Sequence, residues 1–315
     1  MRAADGVKDL KDLMAAADPA AGVTGDPDRR QADLERILAG PGPRPRPRRG
    51  IAPRLWVPLG AVAAVCAAAL ALTLLPSGTG HAYAATPPPL DYRRPTAAVP
   101  AAQTLAEIAR RTAALSEPDG GPDSVLEWRD WSLFTRIDGN TVTSRVTAEQ
   151  HRVLLHPDGT GTQTRRFDGR PEHTEPYESG LYRQPVPADP EALRAMLRAS
   201  TPAVDSASGL AQALRGLLRV QVLDPAQRAA VLRLVAALPG LSYDGSVTDR
   251  AGRPGEAFSA ESDGSGLPTR YTFVVDRDSG RILGDEAMLT TRAGALNVPV
   301  PSVISYTAYL SARRQ

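Results

Sequence analysis

Residues 55–75, LWVPLGAVAAVCAAALALTLL, run for 21 positions without a charge. At about 1.5 Å per helical residue the run spans about 30 Å, the thickness of a bilayer's hydrocarbon core. A buried helix of a soluble domain would carry some polar stripe, and none breaks this one. Pro58 falls in the first turn, where its missing N–H costs least. The segment therefore predicts one transmembrane helix, and it divides everything else in the chain into an inside and an outside.

The flanks set the direction. Arg44, Arg46, Arg48, Arg49 and Arg54 precede the run, and the next basic residue after it is Arg93. Positive charge stays on the cytoplasmic side, so the N-terminus is expected in the cytoplasm and residues 76–315 outside the cell membrane. Ala82-Tyr83-Ala84 resembles a signal-peptide cleavage site. The apolar run is longer than the usual ~7–15 residues, however, and the region before it is far too long, which favours an uncleaved anchor. Cys66, the one cysteine, lies mid-span and reads as a small buried hydrophobe rather than a lipid-attachment site.

The inner part, residues 1–54, holds 11 basic and 8 acidic groups, and the part from 76 to 315 holds 26 and 27. Neither balance, nor the net charge of +2 for the whole chain, marks a nucleic-acid binder. Within residues 1–40, Val7, Leu10, Leu13, Met14 and Ala17 share helical spacing. A second short helix would open at Asp26-Pro27 and carry Leu34, Ile37 and Leu38 on one face. Residues 41–54 form an Arg- and Pro-rich arm, extended and polyproline-like, suited to lying near anionic lipid.

Outside, residues 76–100 are rich in Pro and read as a stalk. Ala101–Leu115 then predicts a helix with Leu105, Ile108, Ala109 and Thr112 on one side. The period changes to two over Val125–Ile137, Val142–His156 and Gly161–Phe167, with turns at Asp138-Gly139-Asn140 and Pro157-Asp158-Gly159. Residues 169–188 read as a loop. Helical spacing returns after Asp189-Pro190, along Leu210–Leu218, and after Asp224-Pro225 up to Pro239-Gly240. Strands are expected near Ser242–Thr248, Gly255–Glu261, Arg270–Asp276, Ile282–Thr291 and Val303–Tyr309. Hairpin connections imply an antiparallel sheet, so residues 101–315 are expected to form an α+β domain, a curved sheet with helices packed on one face.

The chemistry-bearing residues are sparse. One Cys excludes disulfide frameworks and multi-Cys metal sites. There is no G-x-S-x-G elbow, no S-x-x-K and no phosphate-cradling glycine motif. His81, His151, His156 and His173 are scattered; the five-residue spacing of His151 and His156 points them to opposite faces of one strand. The carboxylate pairs Asp276/Asp278 and Asp285/Glu286 read as turn formers. No catalytic residue, metal site or cofactor is expected. The aromatics suggest more. Trp128 and Phe134 share one face of the first long strand, with Trp131 on the other, and Tyr271 and Phe273 share a face of a late strand. Either these fill a core, or they line an apolar groove between the sheet and the helices at 189–238 that would hold a lipid or another hydrophobic ligand.

Several segments in fixed order carry a resemblance: KDLMAAADP and DPDRRQADLERIL in the tail, AYAATPPPLDY after the span, then LAEIARRTAAL, WSLFTRIDG, HPDGTG, LPGLSYDGSVTDRAGRPGEAF and VVDRDSGRILGDE. Together with the Arg-rich arm and the single span, they resemble an actinobacterial family of single-pass membrane proteins often found beside extracytoplasmic-function sigma-factor genes. In element order the outer domain resembles the half-barrel of lipoprotein carriers and of periplasmic regulators that bind anti-sigma factors. The resemblance implies a membrane-anchored, non-enzymatic protein with an extracytoplasmic sensory or binding domain. Its alternatives are an anti-sigma-like regulator whose residues 1–40 contact a sigma factor, and a lipid-binding module. The tail departs from zinc-binding anti-sigma domains, since residues 1–54 contain neither His nor Cys.

Overall fold

The computed structural model describes residues 84–97, 99–117, 120–138, 141–167 and 170–315. The chain divides into two compact units, 1–75 and 76–315, and every described residue belongs to the second. The expected tail helices, Arg/Pro arm and span thus lie outside the described residues, among which no helix is long and apolar enough to cross a membrane.

The element order is β1 (Tyr92–Arg93), α1 (Ala101–Ala113), β2 (Ser124–Asp138), β3 (Thr141–Leu155), β4 (Thr160–Phe167) and β5 (His173–Glu178). Three helices follow, α2 (Pro190–Ser200), α3 (Ala207–Leu218) and α4 (Pro225–Ala236). Five strands complete it: β6 (Ser242–Thr248), β7 (Pro254–Ser262), β8 (Thr269–Val275), β9 (Ile282–Leu289) and β10 (Ser302–Arg314). All ten strands form one sheet in the order β1-β6-β7-β8-β9-β10-β2-β3-β4-β5. Each neighbouring pair is antiparallel. Strand β10 lies between β9 and β2, and so joins β2–β5, which precede the helices, to β6–β9, which follow them; β1 pairs separately with β6.

The α+β expectation describes this domain, with two additions. Residues 173–178, expected as part of a loop, form edge strand β5; Pro176 interrupts its pattern, and an edge is where a sheet tolerates proline. The expected stalk also enters the fold. From Ala84, whose N–H donates to the Asn297 carbonyl, it crosses the sheet face opposite the helices. There Leu90 and Tyr92 pack on Val247, Ala257, Val274 and Leu283, and Arg250 holds the Pro88 carbonyl at 2.8 Å. Its apolar residues are few, so the sequence shows only prolines, but they cover a face that would otherwise be bare.

The helices begin where capping chemistry allows. Asp189 accepts from Ala192 N–H at 2.9 Å, with Pro190 at the first helical position. Ser206 accepts from Gly209 N–H. Asp224 and Gln227 form a reciprocal capping box. Helix α4 is buried over most of its surface (Ala229, Val231, Leu232 and Val235 among others) because helices α1 and α2 pack on it; its buried Arg228 pairs with Glu117 at 2.7 Å. The main core is built on this side from Leu105, Ile108, Leu193, Leu214, Leu217, Phe258 and Phe273, among others.

Candidate binding site

Of the four residues proposed to line an apolar groove, Trp128, Tyr271 and Phe273 are buried in the main core. Phe134 does not join them. It shares their face, but the β10–β2 ladder ends at Ser305–Ser132, and Phe134 lies beyond it with 55% of its surface exposed. Alternation puts Phe134 on the face of Trp128, but the packing that covers Trp128 does not reach that far along the strand. Where α3 and α4 meet β9 and β10, around Leu218, Val231, Ile282 and Ala312, the crevice is about 80 Å³. Ligand pockets usually run about 300–1,000 Å³. Trp131 faces the other side, stacked on Tyr306 at 6.0 Å.

The helix-bearing face carries instead a network of charged groups. Asp130 accepts from Thr307 Oγ1 at 2.8 Å, from Arg219 Nη2 at 2.5 Å and from Trp128 Nε1 at 2.9 Å. His151 stacks on Trp128 with ring centroids 4.9 Å apart, and its Nε2 lies 3.6 Å from Asp130 and 3.3 Å from Glu149. Burial holds the His151 pKa below its usual value, outweighing the two carboxylates. Further along, Asp285 pairs with Arg215 and accepts from Tyr309 Oη at 2.9 Å. Asp285 and Glu286 are thus not turn formers. They sit within β9 on opposite faces, both buried, and Glu286 pairs with Arg250. Arg215 and Arg219 lie one turn apart on and just after α3, a spacing that helical periodicity contains; which carboxylates they would meet depends on a sheet register that the sequence does not display. Asp276 does form its turn, accepting from Asp278 N–H.

The remaining described histidines are apart: His156 pairs with Asp123 at 2.9 Å, and His173 faces Glu175. His81 lies outside the described residues. Among these residues no group of three or more His, Cys, Asp or Glu side chains could hold a metal ion.

A larger cavity, about 400 Å³, opens at the end of the sheet where β3 meets β4. Its wall is the segment 179–186, within the loop expected over 169–188. Tyr182 is the single non-glycine described residue with positive φ, 53°, a conformation that persists only where surroundings enforce it. Gln221 donates to the Tyr182 carbonyl at 2.5 Å, Gln227 to that of Val186 at 2.8 Å, and Arg183 to that of Asp158 at 2.6 Å. The Tyr182 ring is buried against α3, where a Cβ on Gly216 would come within 3.3 Å of it. The lining includes His156, Arg183 and Arg314, and none of its residues is acidic. The Asp123 carboxylate raises the His156 pKa by hydrogen bond and charge. The cavity adjoins the interior network, since Val220 and Gln221 line it and Arg219 holds Asp130.

No family model matches the chain, and no curated protein matches it. Among solved structures, MucB is 16% identical with a TM-score of 0.23; the match covers 67% of this chain and 58% of MucB, so the chain spans little more than half of that structure. A DUF1329 family protein from Desulfovibrio piger is 13% identical, TM-score 0.21, covering 69% of this chain and 94% of its own. A putative outer membrane lipoprotein-sorting protein domain from Vibrio parahaemolyticus is 11% identical, TM-score 0.21, covering 68% and 93%. Likeness at this level carries no argument about activity. The class rests on the strands themselves: an antiparallel α+β domain with four described helices over one face of its sheet.

Proposed function

We propose that the chain is a single-pass membrane protein, N-terminus inside, whose extracytoplasmic domain is a non-enzymatic binding module for a small anionic ligand. The cavity under Tyr182 carries this reading: its size suits a small molecule, and the charged side chains that line it, His156, Arg183 and Arg314, are cationic, the first paired with Asp123 and the second 3.5 Å from Glu178. Strain at Tyr182 is the kind of feature that collects at ligand clamps. Residues 1–40 are then where a cytoplasmic partner such as a sigma factor would be engaged, which makes the protein a transmembrane regulator.

The reading predicts that full-length protein in detergent gains thermal stability from small carboxylates or inorganic phosphate, and that Arg183→Ala abolishes the gain. Affinity should rise as pH falls toward the raised His156 pKa, because the protonated ring adds positive charge. Absence of any such shift, with no anion found by mass spectrometry of protein purified from its host, would reject the ligand class. A co-purifying lipid would favour the hydrophobic-ligand reading instead. A pull-down with residues 1–54 tests the cytoplasmic partner.

A further inference from the structure

Strands β2 and β3 outrun their neighbours. Strand β2 pairs with β10 only as far as Ser132, and β3 pairs with β4 only from Glu149. Between those points β2 and β3 pair with each other alone, through Asp138–Thr141, as a two-stranded arm pinned by the Thr135–Ser144 hydroxyl contact at 3.0 Å. From Ser132 to Asp138 the arm reaches about 20 Å past the last three-stranded pair.

This arm is apolar where it should be polar. Phe134, Ile137 and Val146 are 55%, 51% and 41% exposed. Val300 is 40% exposed, five residues before Ser305 as Ile137 is five after Ser132, and so falls on the same end of the sheet. Four of the seven large hydrophobics that the described residues expose are therefore gathered here. They occupy both faces of the arm: Phe134 lies on one, while Ile137 and Val146, which sits opposite Leu133, lie on the other. Docking on a flat protein surface would bury only one of these faces; immersion in an apolar medium buries both. The charged side chains of the arm are Arg136, Arg145 and Asp138, a net positive set, and the Arg145 guanidinium lies 5.9 Å from the Phe134 ring centroid.

The chain enters the domain at this same end. Ala84 is bound to Asn297, and Thr86 Oγ1 contacts Ser302 Oγ at the start of β10. Strand β10 runs antiparallel to β2, so its start lies beside the base of the arm. Only residues 76–83 separate Ala84 from the end of the apolar run, and eight residues reach at most about 29 Å. On the reading that 55–75 crosses the membrane, on which this inference rests, the linker lets Ala84 stand at most about 29 Å from the bilayer, and the arm's reach of about 20 Å covers most of that distance. We propose that the β2–β3 arm docks into the lipid interface, with Phe134, Ile137 and Val146 among the acyl chain ends and Arg136 and Arg145 at anionic headgroups.

The test uses the full chain with Cys66→Ser, carrying either Ile137→Cys or Leu181→Cys labelled with the fluorophore NBD. Leu181 is 50% exposed but lies beyond the other end of β3, about 45 Å away. Each protein is reconstituted in 3:7 phosphatidylglycerol–phosphatidylcholine vesicles with shallow nitroxide-labelled lipid. Docking predicts a blue shift and at least twofold quenching at 137, little change at 181, and weaker quenching when Arg136 and Arg145 are both changed to Glu. Protein that floats with the vesicles while 137 stays unquenched overturns docking and leaves the span intact. Protein that does not float overturns the span, and docking with it. Equal quenching at both positions overturns the arm's role. A photo-crosslinker at 137 that captures a protein in host membranes, with no lipid quenching, replaces the bilayer by a protein partner.

Discussion

Strands β8 and β9 and the hairpin β2–β3 belong to one sheet and meet different surroundings. In β8 and β9 nearly every side chain is buried, whichever way it points. Helices cover one face, and the segment from Ala84 to Arg93 covers the other. In the hairpin, burial fades steadily after Ser132 on both faces. The contrast shows that strand length alone does not make a core; coverage does. Alternating sequence is enough to form a strand, while its energetic worth is set by what packs above and below it.

The largest effect should come from removing a covered aromatic. Trp128, 3% exposed, touches His151 and Arg219, so Trp128→Ala should cost about 3–5 kcal/mol in denaturant unfolding. A cost under about 1 kcal/mol would mean that the ring lines a cleft, and the contrast between covered and uncovered strands would fail.

Next come the buried charges. Asp285→Ala leaves Arg215, about a quarter exposed, facing the core without its partner. Breaking a fully buried pair costs about 3–5 kcal/mol, and solvent access to Arg215 lowers the expectation to about 2–3 kcal/mol. Replacing Asp138, whose contact with Arg136 is exposed, should change stability by less than about 0.5 kcal/mol.

A smaller effect should appear in pH. Because burial depresses the His151 pKa below its unfolded value of about 6.5, the unfolded chain binds the extra proton first. Stability contributed here is complete above about pH 6.5 and declines as pH falls from there toward the depressed folded value. Asp130, Glu149, Arg219 and Arg165 face this ring, and the Arg residues act with burial. His151→Gln should flatten the decline between pH 6.5 and 5, as read by thermal melts. An unchanged profile would place the acid sensitivity elsewhere.

The smallest effect should be at the arm. Phe134→Ala in the protein free of membrane should alter stability by no more than about 0.5 kcal/mol, and amides of residues 133–138 should exchange hydrogen faster than those of β8 and β9. Strong protection of the arm in detergent-free vesicles alone would sharpen the contrast, since it would show the cover arriving from outside.

Local chemistry made most of the elements legible. Asp189-Pro190 and Asp224-Pro225 announced two helices, and Asp276 with Asp278 a turn, because capping and turn formation involve neighbours in sequence. The site was much less legible. The Asp130–Arg219 pair joins residues 89 apart, and Asp285–Arg215 joins residues 70 apart. Both depend on which strands flank β10. The cavity wall at Tyr182 was hidden for a related reason. Its backbone is held by Gln221 and Gln227, whose amides look like ordinary helix-surface residues until α3 and α4 are set beside the loop.

The place of β10 has a consequence for how such a chain is made. Strand β2 is complete by residue 138, yet its flank opposite β3 stays unpaired until residues 305–314 arrive. On the proposed topology, β2–β5 would emerge before β6–β9, and apart from the short β1–β6 pair the two blocks share no hydrogen bonds until β10 arrives. The last strand acts as a keystone. Until it arrives, the half-built sheet has two temporary edges, at β2 and at β9, which are the places where a chaperone or a second nascent copy would find its grip.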